Sequence, residues 1–246
     1  MGEAHPPAVS EPERRNRAET KAAGAGPSGR GGKAHKLKAI LWDFDGTLVD
    51  SPVAVQAATN AALAEFGFLP ATLEAVKAGM VKPTVPRMAW HAGVPESDGR
   101  ALNDAFYRHA AVLFPRAAKP FPGIVELVRG LTVPQAVVTN NLGTMVRETL
   151  AAIGLLDRMV TVLGDGDLPA AKPDPRGAWM AAAACGVDPA DCAYIGDSAV
   201  DRDIARAAGM YAIGVTWGTT LRESMTGFDE LADTPEAILG DGVSDA

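Results

Sequence analysis

Cysteine is scarce in this 246-residue chain, with only Cys185 and Cys192 present. Six residues separate them and no CxxC occurs, so neither a disulfide framework nor a zinc site is indicated, and the reduced thiols of a cytoplasmic protein are expected. Long apolar runs are missing too: no segment approaches the roughly 18 residues of a membrane span. The N-terminal region has no apolar core of the secretory kind, and Glu3, Glu11, Glu13 and Glu19 argue against an acid-poor transit peptide. Positive charge is lacking where nucleic-acid binding would need it. Residues 1–38 hold eight Lys/Arg against four Asp/Glu, which leaves 15 basic and 26 acidic residues for the rest of a chain whose formal charge is −7. An acidic body does not favour phosphate backbones, so no nucleic-acid partner and no membrane partner are expected.

What is present is a chain 47% hydrophobic and 22% charged, long enough to bury one sizeable core and a smaller satellite. Residues 1–36 are rich in Gly, Pro, Ala and charge and are expected to be a disordered tail. No internal repeat is visible. From Lys38 onward, short apolar runs alternate with helical patterns, the signature of βαβ units and a parallel sheet covered on both faces. Candidate strands are "KAILWDF", "QAVVTN", "MVTVLG", "CAYIGD" and "YAIGVTW". Ile124, Leu127, Val128 and Leu131 repeat at helical spacing, as do Val146, Leu150 and Ile153. The first two strands are about 90 residues apart, far more than one crossover needs. Residues 52–118 therefore read as a helical insertion, with "VAVQAATNAALAEFGF", "TLEAVKAG" and "GRALNDAFYRHAAVLF" as its helices and breaks at Gly67 to Pro70, Pro83 to Pro86 and Gly93 to Pro95.

Ligands gather at the carboxyl ends of strands in an open parallel sheet. Four of the five candidate strands end in or just before reactive or polar residues: Asp43 and Asp45; Thr139 and Asn140; Lys172 in "AKPDP"; and Asp197 followed by Ser198 and Asp201. Side chains two apart on a strand point the same way, so Asp43 and Asp45 crowd one site. Such crowding raises carboxylate pKa values, and a hard divalent cation relieves it; carboxylate ligands suit Mg²⁺, a cation often shared with substrate phosphate. Lys172 adds a positive charge, while the Thr139 hydroxyl and backbone N–H groups can hold phosphate oxygens. One of the opening carboxylates can attack phosphorus while the other moves the proton, a division of labour that needs two.

"DFDGT" at 43–47, "VVTN" at 137–140, Lys172 in "KPDP" and "GDSAVD" at 196–201 resemble, in order and spacing, the four motifs of the haloacid dehalogenase superfamily. The resemblance spans roughly residues 37–218, and the branch similar to phosphoglycolate phosphatase fits best. It implies a Rossmann-like doubly wound α/β core at 37–51 and 119–240, with a helical cap at 52–118. It also implies a Mg²⁺-dependent phosphatase acting on a small phosphorylated metabolite, as monomer or homodimer. Asp43 then matches the nucleophile and Asp45 the general acid/base, whose backbone carbonyl also meets the metal. Thr139 and Asn140 match the phosphate-binding pair, Lys172 the neutralising cation, Asp197 a metal ligand, and Asp201 the support of the metal's water shell. The acid at position 45 argues against dehalogenation. A phosphosugar mutase of the β-phosphoglucomutase type would retain the same motifs, and a non-catalytic module of the same fold would be expected to have lost one. In the insertion, Lys82, Arg87 and His91 are candidates to meet the substrate, whereas Trp90 and Phe106 read as cap core.

Overall fold

The computed structural model describes residues 37–80 and 82–239, so the tail expected at 1–36 lies outside the described residues. Six parallel strands form the main sheet: β1 (Ala39–Trp42), β4 (Gln135–Leu142), β5 (Met159–Asp165), β6 (Cys192–Gly196), β7 (Tyr211–Val215) and β8 (Glu230–Ala232). Their order is β5-β4-β1-β6-β7-β8. The chain leaves β1 for one side, builds β4 and β5, then crosses back to build β6, β7 and β8 on the other. The reversal puts the switch point at β1, where an open α/β sheet leaves a crevice at its carboxyl edge.

Alternation along the strands sorts side chains onto two cores. Ile40, Trp42, Val137, Ala193, Ile195 and Ile213 face one side, where α5 (Ile124–Gly130) and α6 (Gly143–Ala152) cover them with Ile124, Leu127, Val128, Val146 and Leu150. Ala39, Leu41, Ala136, Val138, Tyr194 and Ala212 face the other, under Ala178, Ala181 and Ala182 of α7 (Arg176–Cys185) and Ile204 and Ala205 of α8 (Ala199–Ala208). Every listed core side chain is buried, which is why the strands read as near-continuous apolar runs. The one indole in the β1 core is satisfied: Trp42 Nε1 donates to Gln135 Oε1 at 3.0 Å, and Gln135 Nε2 donates to Val128 O at 2.9 Å.

After β1 the chain forms a two-stranded antiparallel ribbon, β2 (Val49–Asp50) with β3 (Lys119–Pro120), pairing the residues that lead into the helical insertion with those that leave it. Between them lie four helices: α1 (Pro52–Glu65), α2 (Leu73–Gly79), α3 (Thr84–Ala92) and α4 (Gly99–Ala117). Three match the expected segments. The fourth, α3, spans the expected break at Pro83 to Pro86. Pro83 is its N-cap and Pro86 its third residue, where the missing N–H would have had no acceptor within the helix. β8, β2 and β3 were also not expected, being two or three residues long. Trp90, read as core, is 48% exposed, whereas Phe106 is buried as expected. Among the described residues, no helix is long and apolar enough to cross a membrane.

Candidate active site

Asp43 follows β1 directly, and its N–H donates to Ile195 O of β6 at 2.8 Å, which fixes the residue at the switch point. The next turn is tight: Gly46 has φ of 80°, and a Cβ there would lie 2.4 Å from Asp197 Oδ2. Only glycine allows that approach. Asp43, Thr139, Lys172, Asp197 and Asp201 are all buried.

Lys172 joins two of the carboxylates. Its Nζ donates to Asp43 Oδ1 at 2.6 Å and to Asp201 Oδ1 at 2.7 Å. Burial opposes the ammonium's charge, but Asp201 and Asp43 outweigh it and hold Lys172 well above the usual lysine range. Burial, then the negative charge of Asp201, pushes the Asp43 carboxyl well above the usual carboxylate range, against the opposing pull of Lys172. Among the described residues nothing bonds Asp43 Oδ2, so one oxygen of this carboxylate is free to react.

Asp201 has no such freedom. Its Oδ1 takes Lys172 and its Oδ2 accepts from Ser198 N at 3.1 Å and from Ser198 Oγ, the reciprocal cap that starts α8. The pair that caps α8 thus also braces the lysine. Asp197 Oδ2 accepts from Thr219 N at 2.7 Å and Thr219 Oγ1 at 2.8 Å, and among the described residues nothing bonds its Oδ1. Burial raises the Asp197 carboxyl, and the Thr219 backbone bond offsets part of that. Thr219 and Gly218 escaped the sequence reading, although "WGTT" follows the fifth apolar run as polar residues follow the others; a Cβ at Gly218 would stand 2.4 Å from Asp197 Cβ.

One oxygen from each of Asp43, Asp197 and Asp201 lies within 4.8 Å of the others. Three carboxylates against one ammonium leave two negative charges in a buried space, and the all-oxygen donor set is that of a hard divalent cation. The residues fit such an ion, which one oxygen from each of Asp43, Asp197 and Asp201 could help to hold.

Asp45 is partly exposed and sits apart from that cluster. Asn141 Nδ2 donates to Asp45 Oδ2 at 2.8 Å, and Asn141 Oδ1 accepts from Leu142 N at 2.8 Å. The second bond fixes which end of the amide faces Asp45. Asp45 Oδ1 is buried outside any well-formed hydrogen bond, with the Ser51 hydroxyl close to the carboxyl; burial raises the carboxyl, and Asn141 and then Ser51 pull it back. Asn141 was missed as well: it is the residue after the expected "TN" pair. Thr139 Oγ1 accepts from Asn141 N at 3.1 Å, so its own proton points elsewhere. Asn140 differs from expectation in its side chain, which clamps the lysine loop: Lys172 N donates to Asn140 Oδ1 at 2.7 Å, and Asn140 Nδ2 donates to Lys172 O at 3.3 Å.

The three insertion candidates part company. Arg87 of α3 is buried with its guanidinium 4.9 Å from the Phe106 ring centre, near enough to Asp45 for each charge to act on the other. His91, one turn on, is half-buried; burial and then Arg87 lower its pKa. Lys82 is exposed, over the Trp90 ring at 5.8 Å.

Residues 40–215 match the family model described as haloacid dehalogenase-like hydrolase. The chain belongs to the haloacid dehalogenase-like hydrolases. Among its relatives, the phosphoglycolate phosphatase of Xylella fastidiosa is 33% identical over 187 residues, covering 74% of this chain and 81% of that one. The probable phosphatase IndB of Dickeya dadantii is 30% identical over 212 residues, covering 82% and 91%. In fold, this hydrolase is similar to a haloacid dehalogenase-like family protein of Streptococcus pneumoniae, with TM-score 0.73 and 21% identity over 83% of this chain and 97% of that one. It is also similar to CbbY of Rhodobacter sphaeroides in complex with phosphate, with TM-score 0.69 and 22% identity over 84% and 99%. It is a phosphatase, a hydrolase of phosphoric monoesters.

Proposed function

We propose that this hydrolase is a Mg²⁺-dependent phosphatase of small metabolites, with phosphoglycolate the leading substrate, and that residues 52–118 act as a cap over a core of 37–51 and 119–240. The observation that carries the reading is the Asp43 carboxylate, held by Lys172 through one oxygen and free at the other, in a cluster whose surplus negative charge calls for a divalent cation. Asp43 Oδ2 attacks phosphorus, and the bond to the leaving oxygen breaks as Asp45 gives that oxygen its proton. Asp45 then takes a proton from water; the hydroxide displaces Asp43 from phosphorus and frees phosphate. Thr139, Lys172 and backbone N–H groups hold the phosphoryl oxygens through both steps, Asn140 acting through its backbone and its grip on the lysine loop. Mg²⁺, held by Asp43, Asp197 and the Asp45 carbonyl with Asp201 in support, would neutralise charge on the phosphoryl group.

The relatives named phosphoglycolate phosphatase support this substrate, and all six motif residues expected of a working enzyme are present. The test is turnover of p-nitrophenyl phosphate and a panel of phosphoglycolate, sugar phosphates, nucleotides and pyrophosphate, with Mg²⁺ or with EDTA. Activity is expected only with Mg²⁺, greatest on phosphoglycolate, and Asp43→Asn is expected to lose about 10³-fold or more, about 4 kcal/mol of transition-state stabilisation. Turnover indifferent to chelation removes the metal, and near-normal Asp43→Asn turnover removes the nucleophile.

A further inference from the structure

Arg87 is 8% exposed, yet no carboxylate, carbonyl or hydroxyl accepts a hydrogen bond from its guanidinium among the described residues, and its Nε is buried without a partner. The other buried cation, Lys172, has two carboxylates within 2.7 Å. A buried guanidinium without an acceptor is costly, and the Phe106 ring face and the charge of Asp45 offset only part of that cost. Folded proteins keep such groups where a ligand supplies the missing partner. His91 Nε2 is buried and unpartnered in the same place, and Gly79 at the end of α2 lets both side chains pack against its backbone: a Cβ there would lie 3.0 Å from His91 Nε2 and 3.3 Å from Arg87 Cγ.

We infer that Arg87 is the receptor for a second anionic group on the substrate, a carboxylate carried beside the phosphoester, and so selects phosphorylated carboxylic acids over alkyl phosphates that carry no second charged group. The inference rests on the phosphatase reading above and adds the residue that selects for the substrate's carboxylate. The guanidinium fork matches a carboxylate in two parallel bonds. The charge count favours a carboxylate over a second phosphate. Arg87 brings one positive charge, part of it already met by Asp45; His91 stays neutral beside it, and Lys82 lies outside over Trp90, so little is there to balance a dianion. Proximity to Asp45 puts the receptor over the leaving-group side of the reaction, where the acid of a short phosphorylated hydroxy acid would sit.

The experiment compares kcat/KM for 2-phosphoglycolate with kcat/KM for ethyl phosphate, which has a methyl in place of the carboxylate, in wild type, Arg87→Met and Arg87→Lys with Mg²⁺ present. The wild-type ratio is expected to favour phosphoglycolate, and to fall about 100-fold in Arg87→Met, the scale of losing a buried charged partner. Arg87→Lys, which keeps the charge and loses the fork, is expected to fall between, and decides the matter if Arg87→Met does not fold. The melting temperature of Arg87→Met is expected to stay level or rise, because the free protein loses an unpaired buried charge. A purely structural role would slow both substrates in proportion and leave the ratio unchanged, which overturns the inference. So does a wild-type ratio near one, or a sugar bisphosphate that outperforms phosphoglycolate and depends on Arg87. If wild type turns over p-nitrophenyl phosphate while showing no such ratio, the phosphatase reading stands and only the receptor falls; if it turns over none of these, the phosphatase reading itself fails.

Discussion

Asp43 and Asp45 are two residues apart in sequence and chemically unlike, and their hydrogen bonds make the difference. Lys172 takes one oxygen of Asp43 and leaves the other bare, whereas an amide of fixed orientation takes one oxygen of Asp45 and leaves the other buried outside any well-formed hydrogen bond, with the Ser51 hydroxyl close to the carboxyl. In the proposed mechanism, Asn141 would leave Asp45 Oδ1 as the oxygen that meets the leaving group. Replacing it by Leu should free the Asp45 carboxyl to turn. The expected loss in kcat/KM is about tenfold larger for ethyl phosphate, whose alkoxide needs a proton to leave, than for p-nitrophenyl phosphate, whose phenolate does not. Equal losses on both substrates would mean that Asn141 only stabilises the loop. The six motif residues were legible because each ends an apolar run or follows one closely. Asn141, Thr219 and the Asn140 clamp were not, because each acts on a residue far away in sequence.

At the scale of elements, the junction of β5 and α6 has its own fastening. Arg147 of α6 donates to Asp167 Oδ2 at 2.8 Å and to Val162 O at 2.8 Å, and Gly164 N donates to the same carboxylate oxygen at 3.2 Å. Gly143 leaves the room: a Cβ there would lie 2.1 Å from Asp167 Oδ2. Asp167→Ala is expected to cost about 1–2 kcal/mol at neutral pH, measured by urea unfolding. Arg147 holds the Asp167 carboxyl below the usual range in the folded protein, so protonation disfavours the fold. Its contribution is therefore fully present above about pH 4, the ordinary Asp value, and is lost as pH falls through the lower native value. The gap between wild type and Asp167→Ala should close in acid; a gap that persists there would exclude the charge as its origin. The same scale shows why α3 was unexpected. Two prolines read as a break, and whether proline ends or begins a helix depends on which N–H groups lack acceptors, a matter of where the first turn falls.

For the whole molecule, the sheet order is what turns scattered motifs into one site. Asp43, Lys172, Asp197 and Asp201 come from segments up to 158 residues apart and meet because β1 lies between β4 and β6. That convergence stores like-charge repulsion, since burial and Asp201 raise the Asp43 carboxyl and burial raises that of Asp197. An ion that relieves the repulsion binds the folded chain better than the unfolded one, so Mg²⁺ is expected to raise the melting temperature, with about 2.7 kcal/mol gained at one hundred times its Kd. Asp197→Asn should weaken that rise, and a melting temperature insensitive to Mg²⁺ would contradict the metal reading.

The sequence by itself determined the class of the fold and the parts of the core site. Burial on both faces demands apolar strands, and their carboxyl ends are where an α/β sheet leaves reactive groups exposed to ligand. Asp43 free at one oxygen, Asp201 saturated at both, and Arg87 buried with no partner were decided only by the tertiary structure. Those states depend on which groups distant segments bring within about 3 Å, and no local periodicity records that distance.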